Sequence, residues 1–306
     1  MKRRDFLKGC LACGAAASTV GMSKKAWSGG SFEGYPEAMG VLVDLTRCIG
    51  CRSCEAACNK EQKLPEPETS FTDQSVFKEK RRPDEYAYTV VNKYDQQNNG
   101  APVYRKIQCN HCNEPACLTS CFVNAYTKTK EGAVIYNPKI CVGCRNCMIA
   151  CPFNAPGYSY SSAFNPVVKK CIFCYDTRVK YGKPPACVEI CPQEVLTFGY
   201  RKDLIKRAHE RIRETPDKYV DHVYGEKEVG GTGWLYLSGV PFDQVGFDTT
   251  MANEPIISNV KEFLGTVPMV LSIWPALFTG FHLLSTKNKG HEHDDHSKSA
   301  QEDSHK

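Results

Sequence analysis

Cys48-Ile49-Gly50-Cys51-Arg52-Ser53-Cys54-Glu55-Ala56-Ala57-Cys58 and Cys141-Val142-Gly143-Cys144-Arg145-Asn146-Cys147-Met148-Ile149-Ala150-Cys151 repeat one spacing, C-x2-C-x2-C-x3-C. Two further groups accompany them: Cys109, Cys112, Cys117 and Cys121, then Cys171, Cys174, Cys187 and Cys191. Three thiolates from one tight loop can cap three irons of a cube, and the fourth iron then takes a thiolate from elsewhere in the chain. Four groups of four thiols supply the ligands for four [4Fe-4S] clusters. Soft thiolate sites select either zinc or iron-sulfur. Structural zinc pairs two C-x2-C units across a longer loop, and the fourth group fits that pattern in isolation. Three close thiols followed by a fourth favour the cube.

Composition narrows the class. With 306 residues, 42% hydrophobic content and a mean hydropathy of -0.42, the chain reads as about two soluble units. The formal charge of +5 is concentrated at the start. Lys2, Arg3, Arg4, Lys8, Lys24 and Lys25 stand there against Asp5, so the rest of the chain is neutral and a nucleic-acid partner is not expected.

Both ends carry their own patterns. Lys2-Arg3-Arg4-Asp5-Phe6-Leu7-Lys8, followed by a weakly apolar stretch to Met22, has the layout of a twin-arginine signal over residues 1–28. Cys10 and Cys13 lie inside it and read as bystanders. Export normally turns cysteines toward disulfides, but adjacent C-x2-C pairs repeated this often read as metal loops. Residues 263–284 contain no charged side chain, which predicts a single transmembrane helix. Lys287 and Lys289 then place residues 285–306, a disordered His-rich tail, in the cytoplasm. The body is accordingly expected on the periplasmic face of the inner membrane, held by that C-terminal anchor. His282 near the end of the run reads as an interfacial residue rather than a ligand.

Between the ends, short apolar stretches flank the cysteine groups: Val41-Leu42-Val43, Ala133 to Tyr136 and Val195 to Phe198. Short strands bracketing cysteine loops suit a ferredoxin-like unit, and four groups taken as two pairs suggest a duplicated two-cluster module. The predicted class is α+β: a duplicated ferredoxin-like 2[4Fe-4S] module over residues 40–200, a C-terminal arm and the membrane helix. Residues 86–94 and 103–107 around Asn98-Asn99-Gly100 read as a hairpin. Leu204, Ile205, Ala208 and Ile212 share one face of a helix over 201–214 that stops before Pro216. The remainder of 201–260 reads as an extended arm, with Gly230-Gly231-Thr232-Gly233 a turn and not a phosphate loop. Arg52, Arg145, Asn110 and His111 sit inside ligand loops, where ordinary surface exposure is the expectation for each.

The order of the groups, with C-x2-C-x4-C-x3-C second and an x12 gap in the fourth, resembles the four-cluster electron-transfer subunits of formate dehydrogenases, dimethyl sulfoxide reductase and hydrogenase-2 type nickel-iron hydrogenases. The likeness covers roughly residues 40–200. Tyr224-Gly225-Glu226-Lys227-Glu228 and the run from Gly231-Thr232 to Gly239-Val240-Pro241 resemble the hydrogenase-2 type most. The resemblance implies four ligand sets. Cys48, Cys51 and Cys54 share a cluster with Cys191, and Cys58 joins Cys171, Cys174 and Cys187. Cys109, Cys112 and Cys117 pair with Cys151, while Cys121 completes Cys141, Cys144 and Cys147. It further implies a relay without its own substrate site. Its partners would be a catalytic subunit, with the small subunit of a hydrogenase, and an integral membrane quinone-reactive subunit. A molybdopterin enzyme is the alternative catalytic partner, and a zinc-stabilised scaffold the remote alternative.

Overall fold

The computed structural model describes residues 35, 37–96, 100–160, 168–256, 270–271, 273–283 and 285. Its strands are β1 (Met39–Asp44), β2 (Thr89–Tyr94), β3 (Val103–Gln108), β4 (Tyr126–Lys128), β5 (Val134–Tyr136), β6 (Gly157–Tyr158), β7 (Val168–Lys169), β8 (Leu196–Tyr200) and β9 (Trp234–Leu237). Its helices are α1 (Ser53–Gln62), α2 (Ala116–Thr119), α3 (Asn146–Ala150), α4 (Ala186–Glu189) and α5 (Arg201–Glu214).

β1 is apolar on both faces because it lies in the middle of a three-stranded sheet, in the order β8-β1-β9. β8 pairs antiparallel, with Val43 opposite Leu196, and β9 pairs parallel, with Val41 opposite Trp234. Alternation along the strand sends neighbouring side chains to opposite faces. Val41 and Val43 join Trp234, Tyr236 and Phe173 in a core on the cysteine side, and Leu42 packs with Leu235, Leu237 and α5 on the other.

α5 buries Leu204, Ala208 and Ile212, the face expected from the 3.6-residue period. Its last turn closes where Thr215 Oγ1 donates to Arg211 O at 2.9 Å, just before Pro216. Asp44, at the end of β1, is buried and accepts from Tyr219 Oη at 2.8 Å and from Arg211 Nη1 at 3.4 Å. Its other oxygen accepts from Thr46 N at 3.1 Å, starting the single turn that delivers the chain to Cys48. The hairpin forms as expected, with β2 and β3 in register from Thr89–Gln108 to Tyr94–Val103; its Asn98-Asn99 tip lies outside the described residues.

Two parts of the expected architecture are corrected. Residues after α5 are not an extended arm, because β9 returns to the central sheet with Trp234, Leu235 and Leu237 each 0% exposed. That segment is as apolar as β1, and a third strand is the cheapest way to bury it while satisfying its backbone. The transmembrane helix is corrected as well: among the described residues no helix is long and apolar enough to cross a membrane. The described helical residues there are 270–271, 273–283 and 285. The C-terminal anchor, and the localisation built upon it, are therefore not supported. Residues 257–269 of that region, the signal over 1–28 and residues 286–306 of the tail lie outside the described residues. His282 is described and exposed.

Candidate functional site

Each cysteine loop is shaped by residues in the left-handed region. Gly50 and Arg52 have φ of 70° and 60°, and Gly143 and Arg145 repeat this at 69° and 64°. In the other two loops His111 has φ of 49°, and Phe173 and Cys174 have 63° and 48°. Turns of this kind aim successive backbone N–H groups at one anionic point. Gly143 N and Phe173 N donate to the sulfurs of Cys141 and Cys171 at 3.4 Å, and Ala125 N donates to Cys121 Sγ at 3.2 Å. At Gly50 a Cβ would stand 2.3 Å from the Tyr104 ring, so only glycine closes the first loop.

The x3 gap that ends every group begins in a helix. Cys54 and Cys58 both lie on α1; Cys117, Cys147 and Cys187 lie on α2, α3 and α4, with Cys121, Cys151 and Cys191 four residues on. Cysteines at i and i+4 share one helix face, one turn apart. α1 packs against α4 and α2 against α3, so groups one and four form one half of the site and groups two and three the other. After three of the last cysteines the chain curls back identically. Asn124, Asn154 and Glu194, at φ of 54°, 48° and 47°, donate N–H to the carbonyls of Cys121, Cys151 and Cys191 at 3.1 to 3.2 Å.

The thiols gather around hollows drawn from different groups. Cys48, Cys51, Cys54 and Cys191 line one of about 420 Å³, open to solvent. Cys109, Cys112, Cys117 and Cys151 line a second of about 350 Å³. Cys171, Cys187 and Cys174 act electrostatically on Cys58, and Cys141 and Cys144 on Cys147. Cys121 packs in the same apolar cluster as Cys141 and Cys147.

Burial dominates the electrostatics. It pushes the Cys48, Cys174 and Cys151 thiols up to about 11 and those of Cys171 and Cys117 up to about 12. Neighbouring thiols raise them further, while Lys106 and Lys170 oppose the shift. Such groups stay protonated by themselves and become thiolates when a metal displaces the protons. Among the described residues no three of His, Cys, Asp or Glu are gathered tightly enough for one metal ion. Tetrahedral zinc needs its sulfurs about 3.8 Å apart. Thiols spread around a hollow suit a core of several irons. The Tyr126 hydroxyl also fits such a core: it is buried beside the Cys147 thiol, on which it acts as a hydrogen-bond partner.

Residues 102–201 match the 4Fe-4S dicluster domain family. Hydrogenase-2 operon protein HybA of Escherichia coli O157:H7 is 33% identical over 278 residues, covering 80% of this chain and 83% of its own length. This protein belongs to the HybA-like ferredoxin-type electron-transfer subunits. A protein of Nitratidesulfovibrio vulgaris strain Hildenborough is 51% identical over 291 residues, 94% of this chain and 78% of that one. The B subunit of anaerobic dimethyl sulfoxide reductase from Escherichia coli K12 is 41% identical over 171 residues, 55% of this chain and 76% of its own. A HybA-like subunit carries [4Fe-4S] clusters and transfers electrons within an oxidoreductase complex; it is not the catalytic subunit.

Three of the four loop residues expected at the surface are buried in this HybA-like protein. Arg52 is 2% exposed and turns away from sulfur, binding Glu55 and the carbonyls of Ser70 and Asp73. Asn110 accepts from Tyr236 Oη at 3.1 Å, and His111 Nδ1 accepts from Val134 N at 2.9 Å. Arg145 alone is exposed. Two residues passed unnoticed in the sequence, Lys106 and Lys170, each buried against a cysteine hollow. Lysine beside a strand end or a cysteine carries no local mark of burial.

Proposed function

We propose that this subunit holds four [4Fe-4S] clusters and relays single electrons between a nickel-iron hydrogenase type catalytic subunit, with its small subunit, and a quinone-reactive membrane subunit. The first cluster would be held by Cys48, Cys51, Cys54 and Cys191, the second by Cys58, Cys171, Cys174 and Cys187. The third would be held by Cys109, Cys112, Cys117 and Cys151, the fourth by Cys121, Cys141, Cys144 and Cys147. Each cluster supplies a centre that gains or loses one electron without making or breaking a bond to substrate.

One observation carries the reading: each of the four short helices, with the turn that follows it, presents cysteines at i and i+4 to two different thiol sets. The first set is thereby joined to the second and the third to the fourth, and Cys171 and Cys109 supply the contact between the two pairs. Cys54 of the first set acts on Cys187 of the second, Cys171 of the second on Cys109 of the third, and Cys117 of the third on Cys147 of the fourth. The protein's part is to hold these thiols, bury six of the sixteen and aim N–H groups at sulfur.

HybA-type coverage reaches beyond the cysteine region, which favours the hydrogenase assignment. The higher identity to the dimethyl sulfoxide reductase B subunit over a shorter span favours a molybdopterin partner as the second reading. Anaerobic isolation with iron and acid-labile sulfide analysis tests the clusters. Analysis of the co-purified catalytic subunit for nickel or molybdenum separates the partners, and absence of both metals would sink the two readings together.

A further inference from the structure

Two buried ammonium groups lack the counter-charge that burial demands. Lys106 is 4% exposed and Lys170 2% exposed. Among the described ion pairs neither meets a carboxylate. A buried, unpaired cation is costly enough that it is found beside an anion or not at all.

Their surroundings supply only neutral acceptors and thiols. Lys170 Nζ donates to Val134 O at 2.5 Å and Cys171 O at 3.0 Å, and lies 3.6 Å from Cys109 Sγ. Three donors on three acceptors is the pattern of an ammonium. Cys109 and Cys171 belong to the third and second sets, so Lys170 bridges that junction. Lys106 Nζ donates to Gln108 Oε1 at 3.0 Å and stands 4.5 Å over the Trp234 ring. It lines the hollow of the first set, and the thiols it acts upon are Cys187, Cys54, Cys171 and Cys58. Lys106 therefore occupies the junction between first and second sets. Register explains the placement: Lys106 and Gln108 share one face of β3, and Lys170 follows the end of β7, immediately before its cysteine loop.

We propose that Lys106 and Lys170 are potential-setting charges at two consecutive junctions of the relay, raising the reduction potentials of the first three clusters and acting least on the fourth, which Lys170 approaches only across the Tyr126 ring. This rests on the four-cluster reading above. A cube with four thiolates is anionic in both oxidation states, and each added electron makes it more so. In each hop one cluster loses an electron and its neighbour gains it; no bond breaks and no proton is needed. A fixed positive charge favours the reduced form of whichever cluster it adjoins. The second cluster adjoins both lysines and receives the largest effect.

The test is a redox titration, followed by low-temperature EPR, of the anaerobically isolated full chain in its complex. Lys106→Met and Lys106→Gln lower the midpoints of the first and second clusters. Lys170→Met and Lys170→Gln lower those of the second and third. The expected shift is about tenfold in the one-electron equilibrium, about 59 mV, and the fourth midpoint moves least. Full iron and sulfide content with unmoved midpoints overturns the proposal. So does loss of iron in both neutral variants at a position, which makes that lysine an assembly residue. A wild-type chain without acid-labile sulfide instead sinks the four-cluster reading itself.

Discussion

Arg52 and Glu55 form a buried pair, with Arg52 Nε and Nη2 reaching Glu55 Oε2 at 3.2 and 3.0 Å on the first turn of the helix that carries Cys54 and Cys58. Glu55 also accepts from Arg81 Nη2 and from Val91 N, each at 2.6 Å. One carboxylate thus ties the first cysteine loop to the β2–β3 hairpin. Glu55→Ala leaves Arg52 buried without its counter-charge, at a cost of about 3–5 kcal/mol. The expected outcome is a lower urea midpoint with earlier bleaching of cluster absorbance. An unchanged midpoint would show that water reaches Arg52.

The i, i+4 arrangement makes two neighbouring cysteines inequivalent. Cys54→Ser is expected to abolish the EPR signal of one cluster and Cys58→Ser that of another. Each variant should lose about a quarter of the iron if four clusters are present. Loss of the same signal in both variants would contradict the interleaved sets.

Gly50 is held at φ of 70° against the Tyr104 ring. Gly50→Ala is expected to cost about 1–3 kcal/mol in backbone strain, before the clash of its Cβ with the ring. The first cluster should be the one to bleach under a chelator, at lower chelator concentration than in the unaltered chain. Uniform bleaching of all clusters would place the strain elsewhere.

The thiol shifts fix a pH dependence. Burial raises Cys48, Cys151 and Cys174 to about 11 from an ordinary 9.0, so each of these thiols is protonated in the metal-free fold at neutral pH. Binding iron must release those protons. Rising pH therefore favours the loaded state up to the folded values, and falling pH opposes it. Chelator midpoints measured at about pH 6.5, 7.5 and 8.5, test values chosen across the window in which the thiol protons must be displaced, should climb steadily. A flat profile would mean that the thiols ionise before iron arrives.

The lines of the fold that were legible in the sequence are those with a local pattern. The amphipathic face of α5 follows from the 3.6-residue period, the hairpin from its Asn-Gly turn, and the strands beside the cysteine groups from short apolar runs. Arg52, Asn110 and His111 were misjudged because burial there comes from distant elements: carbonyls of Ser70 and Asp73, the hydroxyl of Tyr236 and the N–H of Val134. The uncharged run near the C-terminus satisfied a composition rule, yet among the described residues no helix is long and apolar enough to cross a membrane.

Spacing alone determined the chemistry of this protein, since two-residue and three-residue gaps dictate which thiols a loop or a helix turn can bring together. Only the tertiary structure decided which loops meet and that β9 completes the central sheet. It also decided that Lys106 and Lys170 are buried against cysteine-lined hollows. Contacts across tens of residues arise from burying apolar faces against one another, and no local pattern records which face will find which.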